Sequence, residues 1–126
     1  MTPEAAKRYA KALRFLDQAE RHSPEEAPES TIHVSYYAMM HAAAAVLLDR
    51  TGEVPKSHSG VIGQFSRLIP NGDERGRLFG RAFNNAEQLR LFSDYDDSAV
   101  PTAEEAAELR TQAADFVAYC RSLLAP

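Results

Sequence analysis

Ser35-Tyr36-Tyr37-Ala38-Met39-Met40-His41-Ala42-Ala43-Ala44 sits inside a longer stretch, Ile32 to Leu48, whose apolar residues fall on most faces of a helix. A helix that is apolar nearly all round has no face to give to solvent, so it belongs at the centre of a bundle. Thr51-Gly52-Glu53-Val54-Pro55 ends it, because glycine accepts the left-handed cap and proline cannot continue the hydrogen-bond ladder. Upstream, Ser23-Pro24-Glu25-Glu26 offers a cap with Glu at the third helical position, but Pro28 interrupts it. The central helix is therefore expected to begin near Glu29 or Ser30.

Working outward, Thr2-Pro3 reads as a cap with proline in the first turn, and Ala5, Tyr9, Leu13 and Leu16 follow helical spacing to about Arg21. Ser57 can cap a short third helix carrying Val61, Phe65, Leu68 and Ile69, which Pro70-Asn71-Gly72-Asp73 ends. Gly60 and Gly63 on it are expected to permit close approach to the central helix. The fourth helix has two adjoining stripes, Leu78/Ala82/Asn85/Leu89/Phe92 and Phe79/Phe83/Ala86/Arg90, which suggest burial on more than one side. Thr102-Ala103-Glu104-Glu105 has the form of a capping box, and Ala106, Leu109, Ala113, Phe116, Val117, Cys120 and Leu124 line the last helix. The expectation is an all-α, antiparallel up-and-down bundle of four long helices plus one short helix, forming a single domain over residues 1–126.

Composition narrows the functional classes. The chain has 126 residues, 44% of them hydrophobic and 25% charged, with a net charge of -4. That balance argues against a protein that coats nucleic acid indiscriminately, because such affinity comes from excess Lys and Arg. The charge is uneven, since residues 56–90 carry six basic and three acidic side chains while residues 91–126 carry two basic and seven acidic. Lys56, Arg67, Arg75, Arg77, Arg81 and Arg90 can thus form a local basic surface or lie scattered over solvated faces. The longest apolar run, Ala42 to Leu48, is far short of a membrane span, and no secretory pattern opens the chain. The lone Cys120 lies among apolar neighbours and reads as a small buried hydrophobe, so a cytoplasmic, non-membrane protein is expected.

Three polar islands stand out from this plain bundle. Arg90 shares a stripe with Phe79 and Phe83, and a guanidinium among apolar neighbours needs an anion, either a carboxylate such as nearby Asp94, Asp96 or Asp97, or a bound phosphate. His33, Tyr37 and His41 recur every fourth residue along one side of the central helix, either as hydrogen-bonded groups inside the bundle or a dimer seam, or as the wall of a cleft. Lys56-Ser57-His58-Ser59-Gly60 opens the third helix, where free backbone N–H groups favour an anion and where ordinary capping would also place Ser57. No phosphate-binding glycine loop, nucleophile elbow or Cys-x-x-Cys pair occurs, and the carboxylates lack spaced His or Cys partners, so neither a metal nor a cofactor is expected.

In order and spacing, Ser-Tyr-Tyr-Ala-Met-x-His, the Lys56–Gly60 knot and Arg90-x4-Tyr95-Asp96-Asp97 resemble the HEPN domain family, closest to its single-domain prokaryotic branch. The resemblance implies a helical bundle, a homodimer paired through its long helices, and a nucleotide or RNA phosphate bound in a cleft at the dimer interface. It also implies a minimal nucleotidyltransferase as partner in a toxin-antitoxin-like pair. The family's ribonucleases carry an arginine followed a few residues on by a histidine, both facing that cleft. Arg90 matches the arginine, whereas Tyr95 occupies the histidine's place. Arg90 and Tyr95 are thus the candidate catalytic positions, with Arg90, Asp94, Tyr37, His41, Lys56 and His58 as phosphate-binding candidates. A tyrosine is a poor base near neutral pH, which favours binding without cleavage. The alternatives are a metal-independent endoribonuclease in which His41 or His58 replaces the missing histidine, and a purely structural interaction module. Five positions along a helix leave two side chains about 140° apart, so convergence of Arg90 and Tyr95 requires a break, expected at Ser93-Asp94.

Overall fold

The computed structural model describes residues 1–98 and 100–126. Five helices follow one another in chain order: α1 (Pro3–Arg21), α2 (Pro28–Thr51), α3 (His58–Leu68), α4 (Glu74–Tyr95) and α5 (Ala103–Leu123), with no strand among the described residues. The expected all-α bundle of four long helices and one short one is the architecture observed.

Local chemistry sets most boundaries. Thr2 Oγ1 accepts the Ala5 N–H at 3.1 Å, Ser57 Oγ that of Gly60 at 3.0 Å and Asp73 Oδ1 that of Gly76 at 2.8 Å. At α5 the capping box closes in both directions, Glu105 N–H to Thr102 Oγ1 at 3.0 Å and Thr102 N–H to Glu105 Oε1 at 2.9 Å. Each such cap satisfies donors the helix itself cannot, and is worth about 1 kcal/mol. Gly52, at φ 80°, forms the left-handed C-cap of α2. The start of α2 differs from expectation. It begins at Pro28 itself, because a proline at the first helical position gives up an N–H that would have no partner anyway.

α2 is the central element, and each of the other four helices packs against it. It is long and apolar enough to cross a bilayer by length and composition, yet 78% of that apolar window is buried inside the bundle. The apolarity is therefore spent on the core. The buried stripe of α1 is Ala5, Ala12 and Ala19, a seven-residue repeat of small side chains that lets it lie close against its neighbour. On the other side, Phe65 of α3, Phe83 of α4 and Phe116 of α5 meet with ring centroids 5.0 to 6.0 Å apart. Tyr36 of α2 joins this cluster through Phe83 at 6.2 Å. Cys120 is fully buried in the core, and that burial holds its thiol well above the usual range.

α4 corrects two expectations. Its buried residues are Gly76, Phe83, Ala86, Glu87 and Arg90, while Leu78 and Phe92 of the other stripe are 61% and 57% exposed. The face of Phe83, Ala86 and Arg90 carries most of the burial, and of the other stripe Leu89 packs against the core at its edge. The helix also runs unbroken through Ser93 and Asp94 to Tyr95. A third correction concerns glycines. A methyl on Gly60 would meet Pro55 and Ser57 of the preceding loop at 2.8 and 2.9 Å, and one on Gly63 would meet nothing within 4 Å. Neither residue serves an approach of α3 to α2.

Gly76 is the glycine that packing requires, since an added methyl would collide with the Tyr119 hydroxyl and lie 2.7 Å from both Asp73 Oδ2 and Ile69 Cγ2. Gly76→Ala is expected to lower stability by about 1–3 kcal/mol through overpacking. Gly63→Ala should raise it by roughly 0.5–1 kcal/mol through the reduced entropy of the unfolded chain. Urea unfolding of the two variants checks this, and shifts of the same sign would contradict it.

Candidate functional site

Arg90 lies on the inner face of α4 one turn from its end, with only 8% of its surface exposed. A buried guanidinium must find compensating charge, and Glu87, three residues earlier on the same face, supplies it. Arg90 Nη2 donates to Glu87 Oε1 at 3.1 Å and Oε2 at 3.2 Å, and Nε to Oε2 at 3.3 Å. Nη1 donates to Asp94 Oδ2 at 3.0 Å, an i,i+4 pair that the unbroken helix makes possible. Burial works against the Arg90 charge, and the Glu87 hydrogen bonds and carboxylate outweigh it, so the guanidinium holds its proton more tightly than usual.

Aromatic rings from α2 cover the guanidinium plane. Its carbon stands 4.9 Å from the centroid of Tyr36 and 5.9 Å from that of Tyr37, both within cation–π range. Burial first, and then the neighbouring Glu87 carboxylate, push the Tyr36 phenol far above its usual range, so it stays neutral. His58, the first residue of α3, completes the cluster. Its Nδ1 lies 3.1 Å from Tyr36 Oη, 3.4 Å from Arg90 Nη2 and 3.8 Å from Glu87 Oε2. Arginine can only donate, so in the contact with Arg90 the His58 Nδ1 is the acceptor and Nε2 is the ring nitrogen left to donate.

Tyr37 links this cluster to a second one. Its ring is 5.7 Å from His58, 5.0 Å from His33, 6.1 Å from His41 and 6.0 Å from Phe15 of α1. His33 Nδ1 stands 3.8 Å from Asp94 Oδ1. His41 is 5% exposed, lies tilted against Phe15 with ring centroids 5.1 Å apart, and accepts the Arg8 Nε–H at Nδ1 over 3.0 Å. Burial, and after it the positive charges of Arg8, Lys11, His58 and Arg14, lower its pKa from 6.5 to about 4.

The structure thus brings together Arg90, Asp94, His58 and Tyr37, with His41 one ring further along the same wall. It does not bring Tyr95 to them. With α4 continuous, Tyr95 is turned about 140° from Arg90, is 78% exposed, and borders an apolar surface with Leu91 and Phe92. Lys56 is exposed and joins none of the hydrogen bonds of the cluster. Asp96 accepts from the Ser98 N–H and hydroxyl in a local turn, at 2.9 and 2.7 Å, instead of pairing with Arg90. Two members escaped the sequence reading. Glu87 had a usable signal, its i,i+3 spacing to Arg90 on the stripe of Phe83. Arg8 had none, because its contact with His41 spans 33 residues. Among the described residues no three His, Cys, Asp or Glu side chains gather in a metal-holding group.

Comparison with known proteins gives the family. A family model described as HEPN domain matches residues 5–123, and the chain belongs to that family. A Gloeobacter violaceus protein named UPF0332 protein glr0978 is 30% identical over 126 residues, covering 99% of each chain. A Methanocaldococcus jannaschii protein named "Putative toxin MJ0605" is 36% identical over 83 residues, which are 66% of this chain and 60% of that protein's own length.

The His41 environment gives a pH signature. Between pH 6.5 and about 4 the unfolded chain takes up a proton here that the folded protein refuses, so stability rises with pH across that window. The expected contribution is about 2–3 kcal/mol between the two ends. Urea unfolding at pH 7, 5.5 and 4 should show a steeper loss on acidification for the wild type than for His41→Gln. Parallel curves would contradict it.

Proposed function

We propose that this HEPN-domain protein binds the phosphate of single-stranded RNA at the Arg90–His58 pair, as a toxin-like protein. The observation that carries the reading is that pair itself, a guanidinium and an imidazole 3.4 Å apart, drawn from different helices and backed by Tyr36 and Tyr37. Glu87 keeps Arg90 charged and fixed from the inner side. Asp94, with a third of its side chain exposed, is the partner a phosphate oxygen replaces. The Nε2–H of His58 is then a second donor, and Tyr37 a face for a base. A homodimer fits this reading, since Leu91, Phe92 and Tyr95 form an exposed apolar surface on the end of α4 that carries Asp94. A minimal nucleotidyltransferase partner in a toxin-antitoxin-like pair belongs to the same proposal. It rests on the family resemblance and on the name of the archaeal relative.

The position of His58 favours a second reading, a metal-independent endoribonuclease. Attack of a 2'-hydroxyl on the adjacent phosphorus breaks the bond to the 5' oxygen, leaving a 2',3'-cyclic phosphate and a 5'-hydroxyl. The 2'-hydroxyl proton passes to water and the departing oxygen takes a proton from water, while the Arg90 guanidinium and the His58 Nε2–H hydrogen-bond the charge that develops on the phosphoryl oxygens. In this reading His58, not Tyr95, takes the role of the family histidine.

Incubation with mixed-sequence single-stranded RNA in EDTA tests both readings on wild type and His58→Gln. Binding by the wild type that weakens about tenfold in His58→Gln, or about 1.4 kcal/mol, is the expected result. A wild type that binds no RNA would sink the proposal. Cleavage that stops in His58→Gln would establish the second reading, and cleavage that continues unchanged in that variant would remove it.

A further inference from the structure

α1 turns its alanine stripe to the core and leaves Lys7, Arg8, Lys11 and Arg14 on its other sides. Of these, Arg8 reaches α2, where its Nε–H bonds His41, and Phe15 lies 5.1 Å from His41 and 6.0 Å from Tyr37. Lys11 and Arg14 are exposed, three and six residues beyond Arg8 on the same helix. Among the described residues the one ion pair on α1 is Arg21 with Asp17, so Arg8, Lys11 and Arg14 have no carboxylate within 4 Å. The seam between α1 and α2 therefore sets aromatic rings beside the cation-bearing side of α1, and Tyr37 joins it to the Arg90–His58 cluster.

We infer that this seam is the track along which a single strand of RNA leaves the Arg90–His58 site, with Arg8, Lys11 and Arg14 holding its phosphates and Phe15, Tyr37 and His33 offering faces to its bases. The inference rests on the reading of Arg90 and His58 as a phosphate site and extends it from one phosphate to a strand. Arg8 to Arg14 spans about 9 Å along the helix axis, room for neighbouring phosphates of an extended single strand. Unpaired cations interleaved with rings are what sequence-tolerant strand binding uses, the charges following the backbone and the rings stacking bases. This placement also explains how a chain of net charge -4 can hold a polyanion. The required charge is local to one seam.

The test is fluorescence anisotropy with a labelled oligouridine dodecamer and a labelled uridine dinucleotide, across a salt series. Lys11→Gln/Arg14→Gln removes two exposed charges away from the core. It should weaken the dodecamer at least tenfold, flatten the slope of log K against log salt by about 1.4, and leave the dinucleotide unchanged. Arg77→Gln/Arg81→Gln removes two exposed charges from the α3–α4 groove and should change neither ligand appreciably. An equal loss in that control, or an unchanged dodecamer in Lys11→Gln/Arg14→Gln while His58→Gln still weakens both ligands, would overturn the track and leave the Arg90–His58 reading standing. Failure of the wild type to bind either ligand would overturn both.

Discussion

The buried pair of Glu87 and Arg90 is the constraint around which the polar end of this bundle is built. A guanidinium with 8% exposure has lost nearly all its water, and only a carboxylate held in register makes that tolerable. Glu87 meets it with three hydrogen bonds from one helical turn away, so α4 is its own scaffold for the pair. Breaking such a pair by removing one member typically costs about 3–5 kcal/mol, because the other is left charged and unpaired. The pair moves with α4 as a unit, and the contacts of Arg90 with Tyr36 and His58 relate it to α2 and α3.

Tyr36 connects that electrostatic centre to the hydrophobic one. Its ring belongs to the aromatic cluster of Phe65, Phe83 and Phe116, while its hydroxyl meets His58 and its face meets Arg90. Packing of the core and orientation of the polar site are thus coupled through one side chain. The two carboxylates on Arg90 are unequal in consequence. Glu87 is enclosed with the guanidinium, whereas Asp94 stands at the solvent edge, where its contact competes with water and with any anion that arrives. A site of this kind keeps its cation in place without a ligand and still has one exchangeable position.

The separation of roles extends over the surface. Total charge is negative, yet α1 sets the Arg8 cation against His41, while residues 91–126 carry seven acidic side chains and two basic ones. His41 registers that field directly, since burial and the nearby cations together keep it neutral. The apolar end of α4 around Phe92 and Tyr95 is a separate surface, set apart from the Arg90 cluster by the helix itself.

The bundle was legible because its signals are local. Caps at Thr2, Ser57 and Thr102, the glycine stop at Gly52 and the all-round apolarity of α2 each act within a turn or two of chain. Arg90 was also legible as a residue that needed an anion, since its stripe is apolar. Which anion it found was not. Glu87 and Asp94 both lay within reach in sequence, and the partition between them depends on how α4 is rotated against α2. The pairing of Arg90 with Tyr95 failed for the same reason, because nothing local says whether a helix breaks at Ser93 or continues, and five residues of continuous helix carry a side chain to another face. The sequence by itself determined five helices, a central α2 and the need to compensate a buried arginine. Only the tertiary structure decided that His58 stands beside that arginine and that Arg8 stands beside His41, because both contacts join residues more than thirty positions apart, whose meeting depends on how whole helices pack.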